Sequence, residues 1–322
     1  MYHKLLERQI RRNLRGISEI PDEFQKIFRA ISDSYNHYES DRALLERSLD
    51  LSSQELSSAN VRIRDAYDVI EQKAKDITDS IQYAENIQKA LLPSDEELAL
   101  WPEVFILYQP KDIVSGDFYW MQHHNNLVYL AACDCTGHGV PGAFMSMIGS
   151  SLLDKAVVEK GLTKPNEIFH EVRKGFVNAL KQTGDTQKDG MDAVLINWDK
   201  GANLQVAAAF SPMLISTNGE LREIKPDRQP VGFHTDEHMP FTHHEVQLEK
   251  GDTIYIFSDG YPDQFGGPKD KKFMMKNFKK LLLSIQDKEM NEQKTILETT
   301  LAEWKGNQEQ IDDVLVIGVR FS

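Results

Sequence analysis

Residues 127–142 read LVYLAACDCTGHGVPG and combine a strand, an acidic residue and the start of a helix. Positions 127–133 form an apolar run of strand length, and Asp134 stands where the run stops. A turn with three glycines follows, and it contains Pro141. Proline is common in the first turn of a helix, so a helix is expected to start near this residue. This order predicts that the Asp134 carboxylate is exposed at the end of a strand, at the edge of a sheet.

Three other places in the second part of the chain put an aspartate beside a strand-like run. TIYIFSDG brings Asp259 to a glycine, and VSGDFYW contains Asp117 after a glycine. The order is reversed in IDDVLVIGVRF, where Asp312 precedes the terminal run. Each of these aspartates alone is also typical of an ordinary turn. Four acidic strand ends in one domain, however, predict that the carboxylates converge on a shared site.

A convergence of carboxylates requires a cation, because like charges in one site repel one another. Oxygen ligands from aspartates, a backbone carbonyl and water suit Mg²⁺ or Mn²⁺. Zinc held by Cys133 and Cys135 is the alternative. These two side chains share a strand face that Asp134 does not, and the sequence has no second cysteine pair to complete a tetrahedron. We therefore expect Mg²⁺ or Mn²⁺.

The rest of this part of the chain alternates strand-like runs with helical blocks. Strands are predicted over 104–108, 127–133, 193–198, 204–209, 253–257 and 314–321. Helices are predicted over 141–159, 165–181 and 271–304, the last with a break near Asp287. This order indicates an α+β domain in which mixed sheets are flanked by helices.

The first 92 residues have helix composition, with glycine only at Gly16 and proline only at Pro21. Apolar residues recur there at an unbroken spacing of seven: Leu49, Leu56, Ile63, Ile70, Ile77, Ala84 and Leu91. A second apolar seam is imperfect, because polar residues interrupt it. We expect a parallel dimeric coiled coil, and the alternative is one long amphipathic helix packed on its own domain.

The predicted division of the chain into segments rests on a helix break at Pro21 and on a change of composition after Leu92. Residues 1–40 are expected to form a short helical element, 41–92 a coiled-coil linker helix, and 104–322 a compact α+β domain.

The composition limits the partners and the compartment. The chain has 37 Lys and Arg against 50 Asp and Glu, and its net charge of −13 argues against a nonspecific grip on nucleic acid or anionic lipid. Two cysteines are too few for a disulfide framework and favour a reducing compartment. The N-terminus offers no signal-peptide core, and no stretch approaches the roughly 18 apolar residues of a membrane span. We expect a cytoplasmic protein without direct membrane insertion.

Six segments together resemble the SpoIIE-type branch of the PPM family, the metal-dependent protein serine/threonine phosphatases. They are PKDIVSGDFYW (110–120), DCTGHGVPGAFMSM (134–147), DGMD (189–192), RQPVG (228–232), FSDGYPDQ (257–264) and DDVL (312–315). They occur in the family's order within residues 104–322. The resemblance implies a PPM-phosphatase-like αββα sandwich, with two packed antiparallel sheets flanked by helices, after an all-α, coiled-coil-like N-terminal region.

The resemblance also implies roles for individual residues. Asp134 matches the carboxylate that bridges two Mn²⁺ or Mg²⁺ ions, and the backbone carbonyl of Cys135 is the ligand beside it. Asp117 would hold one ion, partly through water, while Asp259 and Asp312 match ligands of the other. A water made acidic by the two cations then attacks phosphorus, without a covalent enzyme intermediate.

Departures from the family pattern concern the leaving group, the phosphate and a third ion. Thr136 stands where eukaryotic members have a histidine proposed to protonate the leaving group, so His138 is the candidate acid, and an exposed turn histidine is the alternative. Lys111 is the candidate phosphate-binding residue, because the eukaryotic arginine has no obvious counterpart. Asp192 and Asp189 could reach a third, weaker ion or could belong to a turn.

In the family, a helical linker from a sensory element often controls the switch helices that follow the bridging aspartate. Here the corresponding helix starts near Pro141, and its first turns contain Gly142, Phe144 and Met145. Because the seven-residue series ends directly before the catalytic domain, we expect it to transmit rotation or dimerisation into this regulatory switch helix.

The same resemblance implies a phosphatase that acts on phosphoserine or phosphothreonine proteins in bacterial partner switching. The implied substrate is an anti-sigma factor antagonist, and the implied partners are a second copy bound through residues 41–92 and an upstream sensor or signalling protein. Two alternatives remain: a catalytically inactive binding module or dimeric scaffold, and a metal-dependent phosphohydrolase of a small metabolite. The intact aspartate set favours the enzyme over the inactive module.

Overall fold

The computed structural model describes residues 1–322 except 15–19, 182–188, 235–238 and 322. The chain divides into two compact units, Met1–Ile77 and Thr78–Ser322. Helix α1 (Lys4–Asn13) lies in the first unit, and the long helix α2 (Asp22–Ala90) begins there and ends in the second. Helix α2 begins directly after Pro21, as predicted.

Within the first unit, α1 packs on the first turns of α2. Leu6 is buried, and the backbone N–H of His3 donates to Ser32 Oγ at 2.7 Å. The heptad residues farther along are left uncovered, with exposed fractions of 60–66% for Leu49, Leu56, Ile63, Ile70 and Ile77. An apolar stripe of this length therefore faces outward. In the part of the chain that is described, no helix has the length and apolar character needed to cross a membrane.

The second unit contains two antiparallel sheets. The strands are β1 (Glu103–Gln109), β2 (Asp117–His124), β3 (Leu127–Cys135), β4 (Gly190–Trp198), β5 (Asn203–Ala209), β6 (Met213–Thr217), β7 (Glu220–Ile224), β8 (Val231–Gly232), β9 (His244–Gln247), β10 (Thr253–Phe257), β11 (Phe265–Gly266), β12 (Lys271–Lys272) and β13 (Val314–Arg320). One sheet has the order β1-β13-β10-β6-β7, and the other has the order β2-β3-β4-β5-β9, with β8 paired to β4. Strands β11 and β12 form a separate hairpin.

Long helices cover the outer face of each sheet. The helices that lie wholly in this unit are α3 (Asp95–Leu98), α4 (Gly139–Asp154), α5 (Pro165–Ala179), α6 (Gly260–Asp263), α7 (Met275–Ile285) and α8 (Met290–Lys305). Helices α4 and α5 pack on the sheet that contains β3, and α7 and α8 pack on the sheet that contains β13. A third apolar cluster lies between the sheets. This confirms the αββα sandwich.

Strand β3 shows how alternation builds these layers. Tyr129, Ala131 and Cys133 belong to the cluster under α4 and α5, whereas Leu130 and Ala132 belong to the cluster between the sheets. Both faces are buried, so the strand reads as a continuous apolar run rather than as an alternating one.

The structure differs from the sequence-based predictions in three details. The expected mixed sheets are wrong, because every strand ladder is antiparallel, and the described residues include a parallel pairing only as the isolated bridge between Ala209 and Asp227. The last helical stretch begins at Met275 instead of Lys271, since β12 pairs with β11 first. Helix α4 ends in a π-helical turn, Lys155–Glu159, which 3.6-residue periodicity does not reveal.

Candidate metal centre

Three aspartates lie side by side where the inner face of one sheet ends. Asp117 pairs with Asp134 across β2 and β3, and Asp134 pairs with Asp192 across β3 and β4. Directly opposite residues of antiparallel strands share a face of the sheet. Asp134 continues the row of Leu130 and Ala132, so the three carboxylates stand at the open end of the apolar layer between the sheets.

The second sheet brings its own acidic residues to the same edge. Asp259 follows β10, and Asp312 and Asp313 precede β13. Ser258 and Asp313 are buried, whereas Asp259 is exposed and Asp312 is half-buried. The charges of Asp259 and Asp312 reach Asp134 across the interface between the sheets and raise its pKa. The structure thus brings together all four aspartates of the predicted ligand set.

This arrangement makes the carboxylates hard to ionise. Burial, followed by the charges of Asp259 and Asp312, raises the pKa of Asp134 to about 8. Burial and the charge of Asp134 raise the pKa of Asp117, although a hydrogen bond with Ser258 opposes the shift. Burial and the charge of Asp259 raise the pKa of Asp192 to about 7. Without a positive partner, the site therefore favours protonated carboxyl groups.

The residues fit a hard divalent cation by their chemistry. The Oδ2 atom of Asp117 is buried without a hydrogen-bond partner, which is an unmet demand for positive charge or a proton. The surrounding donors are oxygen atoms, the type that Mg²⁺ and Mn²⁺ prefer. Among the residues that the structure describes, no group of three or more His, Cys, Asp or Glu side chains forms a ready-made metal cluster. Ligation that also uses water and a backbone carbonyl is compatible with this spacing.

The zinc alternative has no support in the geometry. Cys133 and Cys135 are both free and buried in the apolar cluster under α4 and α5, on the face opposite to the Asp134 carboxylate. Burial raises the pKa of both thiols, which disfavours the thiolate form that zinc requires. Only the backbone carbonyl of Cys135 remains available for the predicted ligand set.

Asp313 organises the loop in front of Asp117, a role that the sequence did not reveal. Its Oδ1 accepts from the backbone N–H of Lys111 at 2.7 Å, and its Oδ2 accepts from the backbone N–H of Gly116 at 2.8 Å. The side chain is 2% exposed, so it spans the loop from inside the domain. The sequence does contain a signal, because two aspartates, Asp312 and Asp313, stand before the terminal strand. The family resemblance gives a role only to Asp312.

Three glycines let the loops of the site meet backbone to backbone. A Cβ atom on Gly116 or on Gly142 would collide with the carbonyl oxygen of Gly137. Gly116 precedes Asp117, Gly137 lies in the turn after Asp134, and Gly142 lies in the first turn of α4. The start of the predicted switch helix therefore touches both loops that carry candidate ligands.

A second group of polar residues lies near Asp312. His138 Nδ1 is 2.9 Å from Asp112 Oδ2, and its Nε2 is 3.4 Å from Lys111 Nζ. Burial raises the pKa of Asp312, and the nearby Lys111 and His138 oppose this rise. The predicted His138 and Lys111 are thus neighbours. Asp112, which contacts the imidazole ring, was not predicted as a site residue from the sequence.

The remaining candidate residues are divided between surface and core. Pro141 and Phe144 of α4 are exposed, whereas Gly142 and Met145 are buried. Asp189 is half-buried just before β4, and its backbone carbonyl accepts from Phe233 N–H. It is not part of the three-strand row of aspartates, which contains Asp192 instead.

The chain is similar in sequence to a known protein family and to a curated bacterial protein. A family model described as Stage II sporulation protein E (SpoIIE) matches residues 124–322. The chain is 24% identical over 192 residues to the phosphoserine phosphatase RsbU of Bacillus subtilis (strain 168), covering 58% of this chain and 54% of RsbU. The chain thus spans about half the length of this curated relative.

Solved structures show the same architecture. The SiaA-PP2C domain of Pseudomonas aeruginosa is similar with a TM-score of 0.70 and 33% identity, over 77% of this chain and 98% of that domain. The PP2C phosphatase domain of SpoIIE from Bacillus subtilis, solved with a fragment of its regulatory domain, is similar with a TM-score of 0.54 and 20% identity, over 68% of this chain and 63% of that one. At that identity the second likeness shows the fold alone.

Proposed function

The chain belongs to the Stage II sporulation protein E (SpoIIE) family, and from this membership we propose that it is a metal-dependent protein serine/threonine phosphatase. The observation that carries the proposal is the set of aspartates at the common edge of the two sheets, with Asp117 buried and one of its oxygens unsatisfied. Burying several carboxylates together lowers the stability of the fold unless a cation neutralises them, so this set indicates a cation-binding site.

In this proposal two ions, Mn²⁺ or Mg²⁺, would be held by Asp117, Asp134, the backbone carbonyl of Cys135, Asp259 and Asp312. When bound, they supply Lewis acidity for the attacking water and the phosphoryl oxygens. The candidate ligands stand at strand ends of two sheets, and Asp313 holds the loop before Asp117 through two backbone N–H groups. Asp192, with Asp189, is proposed for a third, weaker ion.

We assign the proton for the leaving serine or threonine oxygen to His138. In the structure Nδ1 lies against Asp112, and Nε2 faces Lys111 Nζ, which can only donate. In this proposal Lys111 turns from Nε2 to attract the phosphoryl group, and the protonated imidazole then donates its Nε2–H to the leaving oxygen. A His138→Gln variant should lose most activity on a phosphoserine peptide and little on p-nitrophenyl phosphate, whose leaving group needs no proton. Exposed His123 provides the matched control, His123→Gln. Equal losses on both substrates would remove His138 from this role.

The phosphatase itself is tested by hydrolysis of a phosphoserine peptide with Mn²⁺ added or chelated. We expect metal-dependent turnover that Asp134→Asn abolishes and Asp287→Asn, at an exposed surface position, leaves intact. No turnover by folded, metal-loaded protein would favour the inactive binding module or scaffold. Faster turnover of nucleotides than of the phosphopeptide would favour a metabolite phosphohydrolase.

The exposed stripe on α2 supports a homodimer through residues 41–92. Its apolar residues repeat every seven positions and are uncovered, which fits pairing with a second copy. Replacing Ile63 and Ile70 together by aspartate should convert dimer to monomer in light scattering, whereas replacing the exposed polar pair Gln54 and Arg62 by alanine should not. A wild-type monomer at micromolar concentration would contradict the dimer.

The substrate we propose is a phosphorylated anti-sigma factor antagonist, in a partner-switching pathway that an upstream sensor controls through the N-terminal helices. Support comes from the relative RsbU, which is a phosphoserine phosphatase. We place the reaction in the cytoplasm, since the two cysteines are free thiols. Pull-down of phosphorylated partners with an Asp134→Asn trap variant, followed by mass spectrometry, tests the substrate class.

A further inference from the structure

The last turn of α2 contains a buried polar side chain. Gln88 is 5% exposed, although most side chains of this helix are open to solvent. It belongs to the second unit, together with all the groups that it contacts. A buried amide is retained only if its hydrogen bonds are made, so the positions of its partners are informative.

The Gln88 amide binds two separate segments. Its Nε2 donates to the carbonyl oxygen of Ser115 at 2.6 Å and to Ser146 Oγ at 2.8 Å. Its Oε1 accepts from the backbone N–H of Ser115 at 3.0 Å. Ser146 Oγ in turn donates to the carbonyl of Ala143 at 2.9 Å. One side chain therefore joins the end of α2, the loop before β2 and the first half of α4.

Both partners of Gln88 lie next to the candidate metal centre. Ser115 is two residues before Asp117, and the neighbouring Gly116 is held by Asp313 from the other side. Ser146 lies on α4, whose first turn packs against Gly116 through Gly142. The loop before Asp117 is thus held from two sides: by Asp313, which comes from the sheet edge, and by Gln88, which comes from α2. Ser146 Oγ adds a longer hydrogen bond of 3.4 Å to the carbonyl of Ser115.

We propose that Gln88 is a positioning residue that makes the geometry of Asp117 depend on how the last turn of α2 is seated. This rests on the proposed function, and it deepens it by naming the contact through which the helix acts. With the amide in place, Ser115 and α4 are held in register. If the end of α2 shifts, the backbone N–H and C=O of Ser115 lose their hydrogen bonds to Gln88, and the loop relaxes.

The test compares Gln88→Leu and Ser146→Ala in the full chain, with Gln82→Leu, at an exposed glutamine of the same helix, as the matched control. Leucine keeps most of the volume of Gln88 without its hydrogen bonds. We expect the Mn²⁺ dissociation constant, measured by calorimetry, to rise about tenfold for Gln88→Leu, which corresponds to about 1.4 kcal/mol. Ser146→Ala should weaken binding in the same direction by about threefold. Gln82→Leu should leave it unchanged, and the KM for a phosphopeptide at saturating Mn²⁺ should stay close to wild type.

Mn²⁺ affinity of Gln88→Leu and Ser146→Ala within twofold of wild type would overturn the proposal, and so would an equal loss in Gln82→Leu. If Gln88→Leu does not fold, Ser146→Ala decides, because it removes one acceptor without adding bulk. Wild-type protein that binds Mn²⁺ but does not hydrolyse the phosphopeptide would refute the proposed function and leave this comparison of affinities valid.

Discussion

Asp134 should destabilise the metal-free protein, so replacing it with asparagine should make that form more stable. Its pKa rises from 3.8 to about 8 in the folded chain. When the pKa of a carboxyl group is higher in the folded than in the unfolded state, the folded state is most stable at low pH. This stability is lost as pH rises from the unfolded-state pKa to the folded-state pKa. At neutral pH the roughly three units above 3.8 correspond to about 4 kcal/mol at about 1.4 kcal/mol per unit.

Burial and the charges of Asp259, Asp312 and Asp192 cause this shift together, so asparagine should recover about half of the cost, about 2 kcal/mol. For a domain of this size that gain raises the melting temperature by about 5 °C. The assay is thermal unfolding in chelator and in Mn²⁺, beside Asp287→Asn as the surface control. The variant should be more stable than wild type in chelator and should gain little from Mn²⁺. A lower melting temperature in chelator, or full stabilisation by Mn²⁺, would refute the reasoning.

Three further predictions follow from the same site. Gly116→Ala should reduce Mn²⁺-dependent turnover more than tenfold, because the new Cβ collides with the carbonyl oxygen of Gly137; near-wild-type rates would show that the loop can yield. Asp313→Asn should cost about 1–3 kcal/mol in urea unfolding, because one of the two backbone N–H groups loses its acceptor, and an unchanged midpoint would contradict this. In chelator, the melting temperature of wild type should fall as pH rises from about 5 to about 8, and Mn²⁺ should remove the slope; a rise over this range would have the wrong sign.

The elements that local pattern specifies were predictable. Strand β3 was visible as an apolar run, α5 begins at the predicted Pro165, and the break between α7 and α8 falls at the predicted place near Asp287. These features depend on residues a few positions apart. The same holds for the candidate ligands, each of which stands next to its own strand.

Contacts between distant segments were not predictable from local pattern. Asp313 is 197 positions from Gly116, and Gln88 is 58 positions from Ser146. Nothing in the neighbourhood of either residue distinguishes a buried hydrogen-bonding side chain from a solvated one. Short strands such as β8 and β11 have two residues each, too few for any periodicity to show. The αββα arrangement was expected only from the family resemblance, since strand order alone suggested mixed sheets.

The backbone contact among Gly116, Gly137 and Gly142 has a mechanical consequence. In most packed interfaces, side chains change rotamer and absorb small displacements before these reach the next element. At these three glycines the backbone of α4 meets the backbone of the two loops directly, so no rotamer change at the contact itself can absorb a displacement. We therefore expect a small shift of α4 to be transmitted to the loop before Asp117 and to the turn after Asp134. Any movement of α4 should then change the spacing of the candidate ligands in proportion, without a threshold.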